Sequence, residues 1–128
     1  MSPHVLLIED NEQNRYLATF LLEKHGFRVE PAFDGPSGIE QAVANPPDIV
    51  LLDIQLPGMH GHDVARALRR IEALQGVPIV AVTSYAMPGD RTKALAAGCD
   101  GYIEKPIDPD SFVAEVTGFL PAAFQAQP

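Results

Sequence analysis

Five short apolar segments alternate with segments of helical periodicity along the chain, and this alternation constrains the fold more than any other feature. The apolar segments are nearly continuous, which is typical of strands buried on both faces of a parallel sheet. The segments between them carry apolar residues at intervals of three and four, which predicts helices packed on that sheet. The predicted strands are His4–Asp10, Arg28–Asp34, Asp48–Ile54, Pro78–Ser84 and Gly101–Pro106.

Strict alternation of strand and helix predicts an α/β fold with a parallel five-stranded sheet and right-handed crossovers. Pro31 places the second strand at an edge, because proline cannot donate to a central hydrogen-bond ladder. The first and third strands have the pattern of central strands. Together these features favour a doubly wound (βα)5 fold with the flavodoxin-like order 2-1-3-4-5 and a switch point between strands 1 and 3. The 128 residues fit one domain, which we expect to span residues 1–121, followed by a short tail, 122–128.

Capping and packing residues predict where the helices begin and which side of each faces the core. Asn11 is the expected N-cap of the first helix, and Pro36 stands in the first turn of the second. Asp108 and Pro109 are expected to open the last helix, and Gly76 to end the third. The residues predicted to face the core are Leu17, Phe20, Leu21, Ile39, Ala42, Val43, Val64, Leu68, Ile71, Phe112, Val116, Phe119 and Leu120.

Charge and composition exclude several classes of partner. A net charge of -8 argues against binding to nucleic acid or to an anionic membrane surface. No apolar stretch reaches the ~18 residues of a membrane helix. The single cysteine, Cys99, cannot form an internal disulfide and is expected to be a buried apolar residue. We therefore expect a cytoplasmic protein.

Polar side chains follow the strands at the edge where such sheets bind ligands. Glu9 and Asp10 lie at the end of the first predicted strand, and Asp53, Thr83 and Lys105 lie one residue before the ends of the third, fourth and fifth. Three carboxylates at one place repel one another unless a cation lies among them. Oxygen ligands on short segments suit Mg2+, which also accepts the oxygens of a phosphate. The sequence therefore predicts a magnesium site at the switch point.

The predicted roles at this site are those of phosphoryl transfer. Asp10 and Asp53 are the expected direct ligands, the carbonyl of Gln55 is a third candidate, and Glu9 is expected to hold a metal-bound water. Asp53 is also the candidate nucleophile, since a carboxylate can attack phosphorus and become an aspartyl phosphate. Mg2+, together with Lys105 and the Thr83 hydroxyl described above, would neutralise the phosphoryl oxygens.

In combination these motifs resemble the response-regulator receiver domain of two-component signalling. The resemblance covers the chain from about His4 to Leu120, and two stretches, "IEDNEQNRYL" and "AAGCDGYIEKPID", are most similar to the single-domain, DivK-like or CheY-like type. All four motifs occur in the family's order, at the ends of predicted strands 1, 3, 4 and 5. They are the pair Glu9–Asp10, Asp53 in "LLDIQLPGMHG", Thr83 in "AVTSYA", and Lys105–Pro106 in "GYIEKPI".

The resemblance implies Mg2+-dependent transfer of a phosphoryl group to Asp53 from a histidine kinase or a histidine phosphotransfer protein. It implies that Lys105 contacts this group and that a cis peptide bond precedes Pro106. Thr83 would move to bind a phosphoryl oxygen, and Tyr102 would turn inward behind it. The output would be a protein-binding face on the fourth helix, fifth strand and fifth helix of a monomer or weak dimer. Such a chain is a signalling module that catalyses only its own phosphorylation and dephosphorylation.

The resemblance also marks two residues as tuning positions for dephosphorylation, Gln55 and Tyr85, which stand two residues after Asp53 and Thr83. Tyr85 is bulky and acts as no base near neutral pH, so it is expected to cover the phosphoryl group. The flexible side chain of Gln55 is expected to hold an attacking water loosely. We therefore expect slow to intermediate loss of the phosphoryl group.

Other functions fit the sequence less well. A phosphatase of the haloacid-dehalogenase type needs a second aspartate at the position that Gln55 occupies. A flavodoxin-like cofactor carrier needs a phosphate loop after the first strand, where this chain has the acidic "EDNEQN". His60 and His62 lack a third soft ligand and are expected to be solvated loop residues. A receiver domain from a larger regulator or hybrid kinase remains the open alternative, although only "PAAFQAQP" follows Leu120.

Overall fold

A computed structural model describes residues 2–84, 88–121 and 124. Within these ranges, five parallel strands form a sheet with helices on both faces. The strands are β1 (His4–Ile8), β2 (Arg28–Ala32), β3 (Ile49–Asp53), β4 (Ile79–Thr83) and β5 (Gly101–Glu104). The helices are α1 (Glu12–Lys24), α2 (Gly35–Ala44), α3 (Gly61–Arg69), α4 (Asp90–Ala96) and α5 (Phe112–Phe119), with a short 3-10 helix (Glu72–Leu74) after α3.

The strand order is β2-β1-β3-β4-β5, which confirms the predicted fold class and the switch point between β1 and β3. Pro31 lies on the edge strand β2, as its missing amide requires. The register brings Asp53 opposite Val82 and Thr83 opposite Glu104. The ends of the central strands therefore lie side by side at one edge of the sheet.

Alternate residues of the central strands fill two separate cores. One core lies under α2, α3 and α4 and includes Leu6, Ile8, Val50 and Leu52. The other lies under α1 and α5 and includes Val5, Leu7, Ile49 and Leu51. Every residue of β3 is buried, and each large aliphatic side chain buried in this way stabilises the fold by about 1.5–3 kcal/mol. The strand that ends at Asp53 is thus a rigid support.

The helix boundaries agree with the sequence in part. The side chain of Asn11 accepts a hydrogen bond from the Asn14 N–H at 2.9 Å, which confirms the N-cap of α1. The last helix begins at Phe112, so the predicted start at Pro109 is wrong. The Asp108 side chain accepts from the Asp110 N–H at 2.9 Å and closes a turn that precedes the helix.

The predicted end of the third helix at Gly76 is also wrong. Helix α3 ends at Arg69, and the chain then tightens into a 3-10 helix. Its hydrogen bonds run over three residues, from the Leu74 N–H to the Ile71 carbonyl and from the Gln75 N–H to the Glu72 carbonyl.

Two residues predicted to face the core are exposed, Phe20 and Val43. In α2 the buried residues are small, namely Gly35, Gly38 and Ala42, and the packing on the sheet is so close that a Cβ at Gly38 would lie 2.5 Å from Ile8 Cδ1. In α1 the buried side is formed by Ala18, Leu21 and Leu22. None of the described helices has both the length and the apolar character needed to cross a membrane.

Candidate functional site

The three acidic residues predicted at the switch point lie together. Carboxylate oxygens of Glu9, Asp10 and Asp53 are all within 4.8 Å of one another. Glu9 and Asp53 are buried, whereas Asp10 is exposed. Glu9 and Asp10 follow the end of β1 and are loop residues, although the sequence placed them in the strand. A cluster of buried and exposed carboxylates fits a hard divalent cation with free positions for water.

Lys105 brings a positive charge into this cluster. Its Nζ lies 2.6 Å from Glu9 Oε1 and 3.6 Å from Asp53 Oδ2, and its side chain is 6% exposed. The loop after β5 carries it there: the Lys105 N–H donates to the Thr83 carbonyl at 2.8 Å, and the bond between Lys105 and Pro106 is cis. The ammonium group is therefore held between the two buried acids.

The carboxylate of Asp53 is fixed on both sides. Its Oδ1 accepts a hydrogen bond from the Gln55 N–H at 3.0 Å, while Oδ2 faces Lys105. The Gln55 backbone therefore lies beside the carboxylate, and the Gln55 side chain is exposed. An oxygen held in one orientation at the end of a rigid strand is suited to nucleophilic attack.

The surroundings of Glu9 disfavour the ionised form of its carboxyl group. Burial raises its pKa from an ordinary value to about 7; Asp53 adds to this rise, and the Lys105 ammonium opposes it. Backbone contacts hold the residue in place, since its N–H donates to the Ala32 carbonyl and its Oε2 accepts from the Asn11 N–H at 3.2 Å. A bound divalent cation would favour the ionised form of this carboxyl group.

We expect Glu9→Gln to stabilise the protein at pH 8 and to have little effect at pH 4. A carboxyl group whose folded pKa is raised contributes stability below its unfolded value of about 4.5, and this contribution is lost as the pH rises to about 7. The neutral amide avoids that loss, so the free energy of unfolding in EDTA should rise by about 1–3 kcal/mol at pH 8. Urea unfolding at the two pH values measures this, and an equal effect at both would contradict it.

Thr83 and Tyr102, the predicted switch pair, line the same cavity. Its volume is about 290 Å³, and its other lining residues are Ile54, Gln55, His60, His62, Asp90 and Lys93. Thr83 is buried at the end of β4, whereas Tyr102 is partly exposed on β5. Burial and the nearby Asp90 and Glu104 raise the pKa of Tyr102. Tyr85 falls outside the described residues.

His60, His62 and Cys99 lie outside the acidic cluster. Among the described residues, the one group of three or more potential metal ligands is the acidic cluster. His62 lies within α3 and is partly buried, so its prediction as a solvated loop residue is wrong, whereas His60 is exposed. The His62 N–H donates to His60 Nδ1 at 3.1 Å, so His60 caps α3. Cys99 is buried as predicted, and burial raises the pKa of its thiol to about 11, which keeps it protonated.

The sequence interpretation missed Arg15. Its Nη1 donates to the carbonyl of Glu9 at 3.1 Å and to that of Asp10 at 3.3 Å. The guanidinium carbon lies 4.2 Å from the centre of the Phe33 ring. The sequence does place an arginine in the first turn of the helix that follows the acid pair. Nothing in the sequence, however, distinguishes this arginine from an ordinary surface arginine.

Comparison with known proteins agrees with this geometry. The family model of the response regulator receiver domain matches residues 5–117, so the chain belongs to this family. The polar-differentiation response regulator DivK of Brucella ovis is 36% identical over 120 residues, which cover 94% of this chain and 98% of DivK.

Two solved structures extend the comparison. The chemotaxis protein CheY4 of Vibrio cholerae has a TM-score of 0.89 and 25% identity, over 94% of this chain and all of CheY4. The receiver domain of a sensor histidine kinase from Pseudomonas aeruginosa, described with a magnesium ion in its active-site cleft, has a TM-score of 0.85 and 31% identity. That match covers 93% of this chain and 98% of the other.

Proposed function

We propose that this chain is a phospho-accepting response regulator that takes a phosphoryl group onto Asp53 from a histidine kinase or a histidine phosphotransfer protein. One observation carries the proposal: the carboxylate of Asp53 ends a buried strand beside two further acids, with Lys105 Nζ 3.6 Å away. Family membership makes a phosphohistidine the natural donor. The chain acts as a signalling module and processes no other substrate.

The residues of the site have different roles in the transfer. An oxygen of Asp53 attacks phosphorus in line, the new O–P bond forms as the N–P bond of the donor breaks, and the donor nitrogen keeps the electron pair. The Gln55 N–H holds the carboxylate in one rotamer. Lys105 would neutralise charge on a phosphoryl oxygen, and the Thr83 hydroxyl would donate a hydrogen bond to another.

The acidic cluster fits Mg2+ as the partner of this chemistry. Glu9, Asp10, Asp53 and the Gln55 carbonyl are the groups that would hold it, Glu9 through a bound water. When bound, Mg2+ offsets the repulsion among the acids and neutralises charge on the phosphoryl group. The related kinase receiver described with magnesium supports this assignment.

Acetyl phosphate, a small phosphoryl donor, tests the proposal. Intact protein incubated with it and MgCl2 should gain about 80 Da on one residue, located by peptide mass spectrometry at Asp53. The same incubation in EDTA should give no gain, because Lys105 alone offsets only part of the negative charge of three carboxylates, and the remainder repels an anionic donor. An equal gain in EDTA, or a phosphoryl group on another residue, would overturn the proposal.

The proposed output is a protein-binding face formed by α4, β5 and α5. The exposed Leu95 on α4 and the partly exposed Tyr102 on β5 supply apolar surface there. Thr83 lies behind this face at the end of β4 and shares the cavity with Tyr102. A phosphoryl group that draws the Thr83 hydroxyl toward Asp53 would leave room for the Tyr102 ring.

Thr83→Ala should therefore leave phosphorylation largely intact and uncouple the output face. In the wild type, the phosphoryl mimic beryllofluoride should shift the amide resonances around Tyr102. In Thr83→Ala these shifts should fall severalfold, whereas Thr92→Ala, at an exposed position of α4, should behave as the wild type. Shifts of equal size in Thr83→Ala would show that the two residues are not coupled.

We further propose that Gln55 and Tyr85 tune the rate at which the phosphoryl group is lost. Residues 1–121 would form the receiver domain. The protein would work in the cytoplasm as a monomer or weak dimer. A receiver domain of a larger regulator or hybrid kinase is the second candidate. It is favoured by the 31% identity to the kinase receiver, and it would use the same chemistry.

A further inference from the structure

Arg15 connects the first helix to the loop that carries two of the three clustered acids. One nitrogen, Nη1, donates to the carbonyl oxygens of both Glu9 and Asp10, at 3.1 and 3.3 Å. The Arg15 N–H donates to the Asn11 carbonyl at 2.9 Å, within the first turn of α1. The side chain thus reaches back over the loop from a helix that is itself anchored by the Asn11 cap.

The loop brings like charges close together, and Lys105 offsets only part of their repulsion. Glu9 and Asp10 lie beyond the last residue of β1, and their carboxylates share a small volume with that of Asp53. The Glu9 N–H is held by the Ala32 carbonyl, so the restraint from Arg15 acts on the next two peptide groups. Without it, repulsion can move the Asp10 carboxylate away into solvent.

Phe33 fixes the position of the guanidinium group. Its ring centre lies 4.2 Å from the Arg15 guanidinium carbon, and the ring is 56% exposed. A cation over an aromatic face is attracted to the negative charge of that face, and the contact leaves its side chain fewer rotamers. Arg15 is therefore held in the orientation that its two hydrogen bonds require.

We propose that Arg15 is a positioning residue of the metal site: it holds the Glu9–Asp10 loop so that the acids are arranged for Mg2+ before the ion binds. The inference rests on the proposed Mg2+-dependent function and assigns to one residue the organisation of that site. Arg15 need not touch the ion or the phosphoryl group. Its loss should weaken Mg2+ binding and leave the chemistry at saturating Mg2+ unchanged.

Mg2+ titration of the folded protein, followed by calorimetry and by amide resonances of the loop, measures the effect directly. Arg15→Met keeps an unbranched stem that can still contact Phe33 but removes the guanidinium group and both of its hydrogen bonds. We expect the Kd for Mg2+ to rise about tenfold, the equivalent of about 1.4 kcal/mol. Arg15→Lys, which keeps a charged donor, should recover part of the affinity, and Phe33→Ala should weaken binding about two- to threefold.

Arg66→Met is the matched control. It removes the same side chain from the exposed pair with Asp63 on α3 and lowers the net charge equally. Its Kd for Mg2+ should stay within about twofold of the wild type. This control separates a loop restraint from a general change in charge.

Phosphorylation by acetyl phosphate separates positioning from damage to the fold. In Arg15→Met the half-saturating Mg2+ concentration should rise with the Kd, and the rate at saturating Mg2+ should match the wild type. Wild-type Mg2+ affinity in Arg15→Met, or a rate that saturating Mg2+ does not restore, would overturn the inference alone. Absence of Mg2+ binding in the wild type would overturn the proposed metal site and the inference together.

Discussion

Asp53→Asn is expected to abolish the mass gain of about 80 Da that the wild type shows with acetyl phosphate and MgCl2. The amide nitrogen and oxygen cannot replace the carboxylate as a nucleophile toward phosphorus. The substitution preserves the volume of the side chain and removes one of three neighbouring negative charges. The free energy of unfolding without Mg2+ should therefore not fall, so loss of phosphorylation would reflect lost chemistry.

Two further variants make this result specific. Asp63→Asn, at an exposed position of α3, removes one carboxylate away from the cluster and should be phosphorylated as the wild type is. Asp10→Asn removes one expected ligand charge and should lose most of the Mg2+ binding and most of the reaction. A gain in Asp53→Asn equal to that of the wild type would show that the phosphoryl group goes elsewhere.

The strands, and the proximity of the acids to Lys105, could be predicted because the sheet is parallel and buried on both faces. A strand covered on both faces must be apolar along its length, as in "IVLL", which makes β3 visible in the sequence. The parallel topology then brings Glu9, Asp53 and Lys105 to one edge without knowledge of any side-chain conformation. Each predicted strand extended one or two residues beyond the observed end, because the residues that follow a strand can continue its sequence pattern.

Helix faces were less predictable because close packing selects small residues. Large apolar side chains suggested Phe20 and Val43 as core residues, yet Ala18 and Gly38 face the sheet there. The contact between Arg15 and the Glu9–Asp10 loop depends on the rotamer of a long side chain, so spacing in the sequence carries little information about it.

The last prediction concerns Gly61, where α3 begins against the end of β3. Its N–H donates to the Ile54 carbonyl at 2.9 Å. A Cβ at this position would lie 2.4 Å from Ile54 Cα and 2.8 Å from the Asp53 carbonyl oxygen. Both contacts are to backbone, so no side chain can rotate away and the helix or the strand end must move. Gly61→Ala should therefore lower the free energy of unfolding by about 2–3 kcal/mol, a fall in Tm of roughly 10 °C.

The substitution should also affect phosphorylation of Asp53, because the clash includes the backbone of Asp53 itself. We expect slower phosphorylation of the folded Gly61→Ala protein, measured below its Tm. Gly58→Ala is the first control: it has open space but a φ of +77°, so it should cost only about 1 kcal/mol of backbone strain. Gly76→Ala has open space and no positive φ, so it should be neutral or slightly stabilising. If Gly61→Ala were no less stable than Gly76→Ala, the close approach of α3 would not hold Asp53 in place.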